Sequence, residues 1–187
     1  MHIYVIQRII YLAAAPARDA GAAETGRRAA MTPAPGDLTI TTDPSRLDLD
    51  VIHGFLAASY WAAGIPREVV ERAVRHSLCF GAFEGPAQVG FARVVSDYAT
   101  YAYISDVFVL PSHRGRGVGK RIMAAIVAHP ELQGLRRWTL FTRDAHGLYR
   151  QYGFGEPRFP ERLMEILGAP YAAPCAGAAA EIERQAI

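Results

Sequence analysis

An α/β (α+β) fold is predicted by three features of the sequence. Short apolar runs alternate with stretches whose apolar residues recur at helical spacing. Two strand-like runs, 78–83 and 88–95, are joined by Glu84-Gly85-Pro86-Ala87, which has the composition of a hairpin turn. A further run, Thr100 to Leu110, is apolar on both parities, with Tyr101, Tyr103, Val107 and Val109 on one side and Ala102, Ile104, Phe108 and Leu110 on the other. A strand of that kind is central and covered on both faces.

The elements follow in order. Leu38 to Thr42 alternates and reads as the first strand, and Asp43-Pro44 turns the chain. Leu49, Ile52, His53, Leu56 and Tyr60 mark a helix that Asp48 or Asp50 can cap. Gly64 and Pro66 break it, and Val69, Val70, Ala73, Val74 and Leu78 mark a second helix opened by Pro66. After the hairpin and a turn at Asp97 to Thr100 comes the central strand, which Pro111 ends. Val118, Ile122, Ala125 and Ile126 are the inward stripe of the next helix, closed by His129-Pro130. Leu135 to Thr142 is a strand. Ala145, Leu148, Tyr149 and Tyr152 stripe a short helix that Thr142 or Asp144 can cap and Gly153 ends. Leu163 to Leu167 reads as the last strand.

The 187 residues suit one domain with length left for tails. Residues 1–36 read as a low-complexity extension, with Ile3 to Leu12 too short and too interrupted by Gln7 and Arg8 for a membrane span or a secretory signal. Residues 37–171 form the expected domain, and 172–187 an Ala-rich tail. A net charge of +2 is too small to imply a nucleic-acid partner. Cys79 lies in an apolar run and reads as a buried free thiol, and the histidines show no metal-ligand spacing. The expectation is a cytoplasmic protein with no membrane, nucleic-acid or metal partner.

The chemistry concentrates between Asp106 and Arg121. Gly115, Gly117 and Gly119 alternate, so the backbone can curl and lie bare against a ligand. Arg114, Arg116, Lys120 and Arg121 surround this turn, and a helix beginning there points its free N–H groups and positive dipole end back at it. Such a site suits phosphate or pyrophosphate. The spacing is neither that of a Walker A loop nor that of a dinucleotide fingerprint. Asp106 stands out in an apolar strand, since a carboxylate there costs stability unless it is paired or solvated in a cavity.

Arg114-x-x-Gly117-x-Gly119 after a strand resembles the signature A of the GNAT acyl-CoA-dependent N-acetyltransferases. Leu148-Tyr149-x-x-x-Gly153-Phe154, one helix and one strand later, resembles signature B. The resemblance covers about residues 37–167. It implies a mixed, mostly antiparallel sheet of six to seven strands with helices on both faces, with signature A after the fourth strand and signature B after the fifth. It also implies acetyl-CoA as co-substrate, an acetyl transfer by direct attack in a ternary complex, and a small-molecule amine as acceptor. Family members are often dimers, so a homodimer is expected.

Residue by residue, the resemblance places the pyrophosphate on Gly115, Arg116, Gly117, Val118, Gly119 and Lys120, with Arg114 opening the loop. Val107, Phe108 and Val109 would pair with the pantetheine arm, Val109 as oxyanion donor, and Thr142 would lie on the cofactor side. Tyr149 would give a proton to the leaving thiolate, or else is a core tyrosine with a satisfied hydroxyl. Asp106 would accept the amine proton, or else is held by a structural partner such as an arginine. Tyr60, Trp61 and Tyr103 either border the acceptor or pack as core. A peptide or protein N-acetyltransferase and a non-catalytic acyl-CoA-binding module are the competing readings.

Overall fold

The structure is a computed structural model that describes residues 37–171. The expected extension (1–36) and tail (172–187) lie outside the described residues. Five strands form one sheet in the order β1-β2-β3-β4-β5. They are β1 (Leu38–Thr41), β2 (Leu78–Glu84), β3 (Ala87–Ser96), β4 (Tyr101–Val109) and β5 (Arg137–Leu140). The first four are antiparallel neighbours, and β5 joins β4 in parallel. The helices are α1 (Leu49–Ala57), α2 (Arg67–Arg75), α3 (Val118–Val127) and α4 (His146–Arg150).

Local chemistry explains the element ends. The Asp48 carboxylate accepts from the amides of Asp50 and Val51 and caps α1. Its own amide donates to Oε1 of the buried Gln88 at 2.8 Å, which pins the start of α1 to β3. Gly85 takes a φ of +57° in the hairpin turn. The Asp97 carboxylate accepts from three amides and the Thr100 hydroxyl, fixing the turn into β4 and holding its own pKa well below the usual carboxylate range.

Helices cover both faces. Ile122, Met123 and Ile126 of α3, with Tyr149 of α4, bury one face together with Phe80, Val94, Ala102 and Ile104. Ile52, Leu56 and Val70 of α1 and α2 bury the other with Cys79, Phe91 and Phe108. The predicted α4 stripe of Ala145, Leu148, Tyr149 and Tyr152 packs into the first cluster. Signature A follows β4 and signature B follows β5, as the resemblance implied.

Two expectations are corrected. The sheet has five strands rather than six or seven, and the expected last strand, Leu163 to Leu167, is exposed irregular chain. The run is apolar apart from Glu165, but no neighbouring strand among the described residues pairs with it. The parity of β4 also differs from expectation. Phe91 pairs with Phe108 and Arg93 with Ser105, so Ala92 alone opposes both Asp106 and Val107. This is a β-bulge, and Asp106 sits in it at a φ of +53°, rare for a residue with a side chain. The extra residue flips the faces: Ala102 and Ile104 before it, and Val107 and Val109 after it, all pack toward α3, while Phe108 turns to the α1 side.

Candidate active site

The site begins where β4 and β5 separate. Their pairing runs from Tyr101–Arg137 to Ile104–Leu140 and stops. Beyond it the two strand ends border a cavity of about 360 Å³. Its walls are Tyr60 and Trp61 from the turn after α1, Tyr103 to Val107 of β4, Phe141 to Ala145, and Tyr149. The three candidate acceptor residues, both candidate catalytic residues and Thr142 therefore meet in one place.

Both Asp106 carboxylate oxygens are engaged. Oδ2 accepts from Nε of Arg93, and Oδ1 accepts from Nε1 of Trp61 at 3.2 Å. Arg93 reaches on to the hydroxyls of Ser77 and Ser105. The ion pair is mostly buried, with 19% of the Arg93 side chain and 11% of the Asp106 side chain exposed. Trp61 in turn lies edge-on to Tyr60 at 4.9 Å, and the Arg143 guanidinium sits 3.8 Å above the Tyr60 ring. Of the acceptor aromatics, Trp61 and Tyr60 stay substantially exposed. Burial raises the Tyr103 pKa.

Tyr149 is 7% exposed and borders the cavity. No hydrogen-bond partner for its hydroxyl exists among the described residues. Desolvation pushes its pKa up to about 12, with the neighbouring Tyr60 and Asp144 adding to the effect. Thr142 acts on the helix that carries this tyrosine. Its hydroxyl accepts from the Ala145 amide at 3.0 Å and so sets the entry into α4.

Past the C-terminal end of β4 the chain curls. Gly115 and Gly117 take φ values of +73° and +79°, and α3 begins directly after Gly117. A Cβ at either glycine would meet nothing within 4 Å, so the loop is an open cradle and not a packed turn. Arg121 is the first residue past the loop whose amide bonds the backbone, to Gly117 O. The amides from Gly115 to Lys120 find no acceptor among the described residues. Val118 is buried, so only its backbone can face a ligand.

The cations around the loop are less free than their sequence spacing suggests. Arg114 Nε donates to Val109 O at 3.2 Å, and Arg121 donates to Leu38 O. Arg116 pairs with Glu84 at 2.5 Å, a carboxylate that His113 also approaches at 3.4 Å. Lys120 is exposed, and its carbonyl accepts from the Tyr152 hydroxyl at 2.6 Å. The Leu110 amide donates back to Val89 O on β3. Successive amides alternate sides along a strand, so the Val109 amide points the other way, toward the open edge of β4. Side chains of Val107 and Val109 face the α3 core, and Phe108 stacks on Phe55 at 4.0 Å, so all three would meet a ligand through backbone alone.

Sequence reasoning missed Arg93, Phe141, Arg143 and Glu84. Arg93 carried a signal: it is a lone charge in the apolar run of β3, as Asp106 is in β4. Among the described residues no group of three or more His, Cys, Asp or Glu is placed to hold a metal ion. No described helix is long and apolar enough to cross a membrane.

Comparison with known proteins agrees with this geometry. A family model for the acetyltransferase (GNAT) domain matches residues 75–156. A Gibberella zeae protein, provisionally named an acetyltransferase, is 33% identical over 137 residues, covering 61% of this chain and 76% of the relative. The rice protein serotonin N-acetyltransferase 2, chloroplastic, is 32% identical over 119 residues, covering 59% of this chain and 58% of its own length. Among solved structures, one from Xanthomonas campestris pv. campestris, provisionally assigned as a GNAT-family acetyltransferase, shares 56% identity. It has a TM-score of 0.70 and covers 72% of this chain and 95% of the other.

Proposed function

Because this chain belongs to the GNAT acetyltransferase family, we propose that it moves an acetyl group from acetyl-CoA to the primary amine of a small molecule. Attack is direct, with both substrates bound at once. The observation that carries this reading is the parting of β4 from β5, with an unpartnered Tyr149 hydroxyl bordering the gap.

The open cradle at Gly115 and Gly117 fits a diphosphate, because bare amides, a helix N-terminus and the absence of Cβ atoms let the backbone approach closely. Acetyl-CoA, when bound, supplies the thioester acyl group and a thiolate leaving group. The amides from Gly115 to Lys120 hold its diphosphate, and Lys120 adds charge. The free edge of β4 at Val107 to Val109 orients the thioester arm, much as a neighbouring strand would be held. Arg114 occupies the Val109 carbonyl and leaves the Val109 amide to donate where negative charge grows on the acyl oxygen. Tyr149 gives the proton to sulfur. With the Tyr149 pKa near 12 and a thiol near 8.5, that transfer runs uphill by about 5 kcal/mol in water. The same burial that raises the tyrosine also disfavours a thiolate beside it, which narrows the gap.

Asp106 belongs to the structural alternative. Both of its oxygens are already engaged, one by a guanidinium and one by an indole N–H. It holds the bulge and aims Trp61, and the amine releases its proton to solvent through the open cavity. Besides Tyr149, four aromatic rings (Tyr60, Trp61, Tyr103 and Phe141) line that cavity and favour an amine carried on an aromatic or apolar skeleton. The likeness to a rice serotonin N-acetyltransferase supports the same choice. A non-catalytic coenzyme-binding role leaves the unpartnered Tyr149 hydroxyl without a purpose.

The test is thiol release from acetyl-CoA by the purified full chain against a panel of arylalkylamines, polyamines and N-terminal peptides. Release that depends on an arylalkylamine is expected. Coenzyme binding with no amine-dependent release would leave the binding-module reading, and release with peptides alone would move the acceptor to proteins.

A further inference from the structure

The turn from β5 into α4 sets two opposite charges side by side on the wall of the candidate acceptor cavity, and the fold uses neither. Arg143 and Asp144 are both exposed, and both line the cavity. By sequence either Thr142 or Asp144 could cap α4, and the cap falls to Thr142, whose hydroxyl accepts from the Ala145 amide. Among the described residues the Asp144 carboxylate accepts no hydrogen bond and joins no ion pair, with Arg143 or any other cation. The Arg143 guanidinium likewise donates to no acceptor among the described residues. It lies over the Tyr60 ring, 3.8 Å from the centroid.

A guanidinium resting on a ring face keeps its N–H edge free, and that edge fits a carboxylate through two parallel hydrogen bonds. The same contact fills the Tyr60 face, the seat a cationic amine would otherwise take. A bare amine entering here loses that seat and meets a like charge. Asp144 lies on the Tyr149 side: after burial and Tyr60, it is the group that raises the Tyr149 pKa. The other carboxylate of the wall, Asp106, is already answered by Arg93. The cavity therefore presents one unanswered charge of each sign, which suits a zwitterion better than a cation.

We propose that the acceptor is an amino acid with a large apolar or aromatic side chain, its carboxylate held by Arg143 and its ammonium set beside Asp144. This rests on the acetyl-transfer reading and narrows it: among arylalkylamines, those that keep a carboxylate are the better acceptors. A carboxylate drawn to Arg143 and repelled by Asp144 sets which end of the molecule reacts. The ammonium first gives one proton to solvent. The amine nitrogen then bonds the acyl carbon as the C–S bond breaks, Tyr149 gives its proton to sulfur, and the second nitrogen proton restores the phenol. The product is an N-acetyl amino acid.

Two matched pairs make the test: phenylalanine with phenethylamine, and tryptophan with tryptamine. Each compound is titrated by calorimetry into the purified full chain with coenzyme A present, and thiol release from acetyl-CoA is read in parallel. Each amino acid should bind about tenfold or more tighter than its matched amine, the worth of a hydrogen-bonded charge pair. Arg143→Gln should bring that ratio close to one. Arg143→Lys should keep part of it, since the charge stays and the fork goes. Asp144→Asn should weaken amino acid and amine alike and leave the ratio no smaller. A wild-type ratio of one or less, a ratio that Arg143→Gln leaves untouched, amine binding that Asp144→Asn does not weaken, or no binding of either compound overturns the proposal. Thiol release answers separately for the transfer. Plain amines acetylated without a carboxylate preference sink the amino-acid acceptor alone, and amino acids bound tightly without release sink the transfer alone.

Discussion

Tyr149 and Asp106 border one cavity but sit in different surroundings, and the difference assigns them different work. Tyr149→Phe should lower turnover by about 10²-fold or more while the coenzyme dissociation constant, read by calorimetry, moves less than twofold. Because burial pushes the Tyr149 pKa to about 12, the wild-type rate should show no fall from its ionisation up to pH 10. Asp106→Asn keeps one acceptor for Trp61 but strands the Arg93 charge. It should cost about 2 kcal/mol in urea unfolding and leave the acidic limb of the pH–rate profile in place. Loss of that limb would return Asp106 to the role of base. Sequence made Asp106 conspicuous because a carboxylate in a central strand must have a reason. It could not name Arg93, since a lone arginine in a strand also reads as solvent-facing. Only the register of β3 on β4, a long-range property, brings the two together.

At the scale of elements, the two signature segments were legible because their chemistry is local. Glycines at positive φ, a helix start and a stripe at i, i+3, i+4, i+7 depend on near neighbours. Gly117→Ala tests the loop directly. With φ at +79° it should cost about 1–2 kcal/mol of stability by urea unfolding and weaken coenzyme binding several-fold by calorimetry. Unchanged binding would remove the loop as the diphosphate site. The bulge in β4 was not legible. A β-bulge has no composition of its own here, and apolar residues on both parities conceal a change of phase. The final strand failed for a different reason: apolar composition alone suggested it, and a strand exists only with a partner.

Across the described residues, stability should carry an alkaline signature. Burial raises the pKa of both Cys79 and Tyr149 to about 12 from 9.0 and 10.0. In the unfolded chain these groups release protons near their ordinary values, while the folded chain holds them, so folding binds more protons at high pH. Stability should therefore be level below pH 9 and fall as pH climbs toward 12, by up to about 1.4 kcal/mol per pH unit for each group. Urea titrations at successive pH values check this, and Cys79→Ala should flatten the first part of the fall. In a Cys175→Ala background the native chain should leave Cys79 unlabelled by a thiol reagent until it unfolds, since a buried thiol with so high a pKa holds almost no thiolate.

The half-turn at Asp106 has a consequence for how this chain can vary. One ribbon furnishes two oily layers, and the place where it rolls over is a single residue wide. Deleting Asp106 would restore plain alternation and leave Val107, Phe108 and Val109 in the layers they already occupy. The ribbon would keep its packing and lose the carboxylate that Arg93 and Trp61 grip.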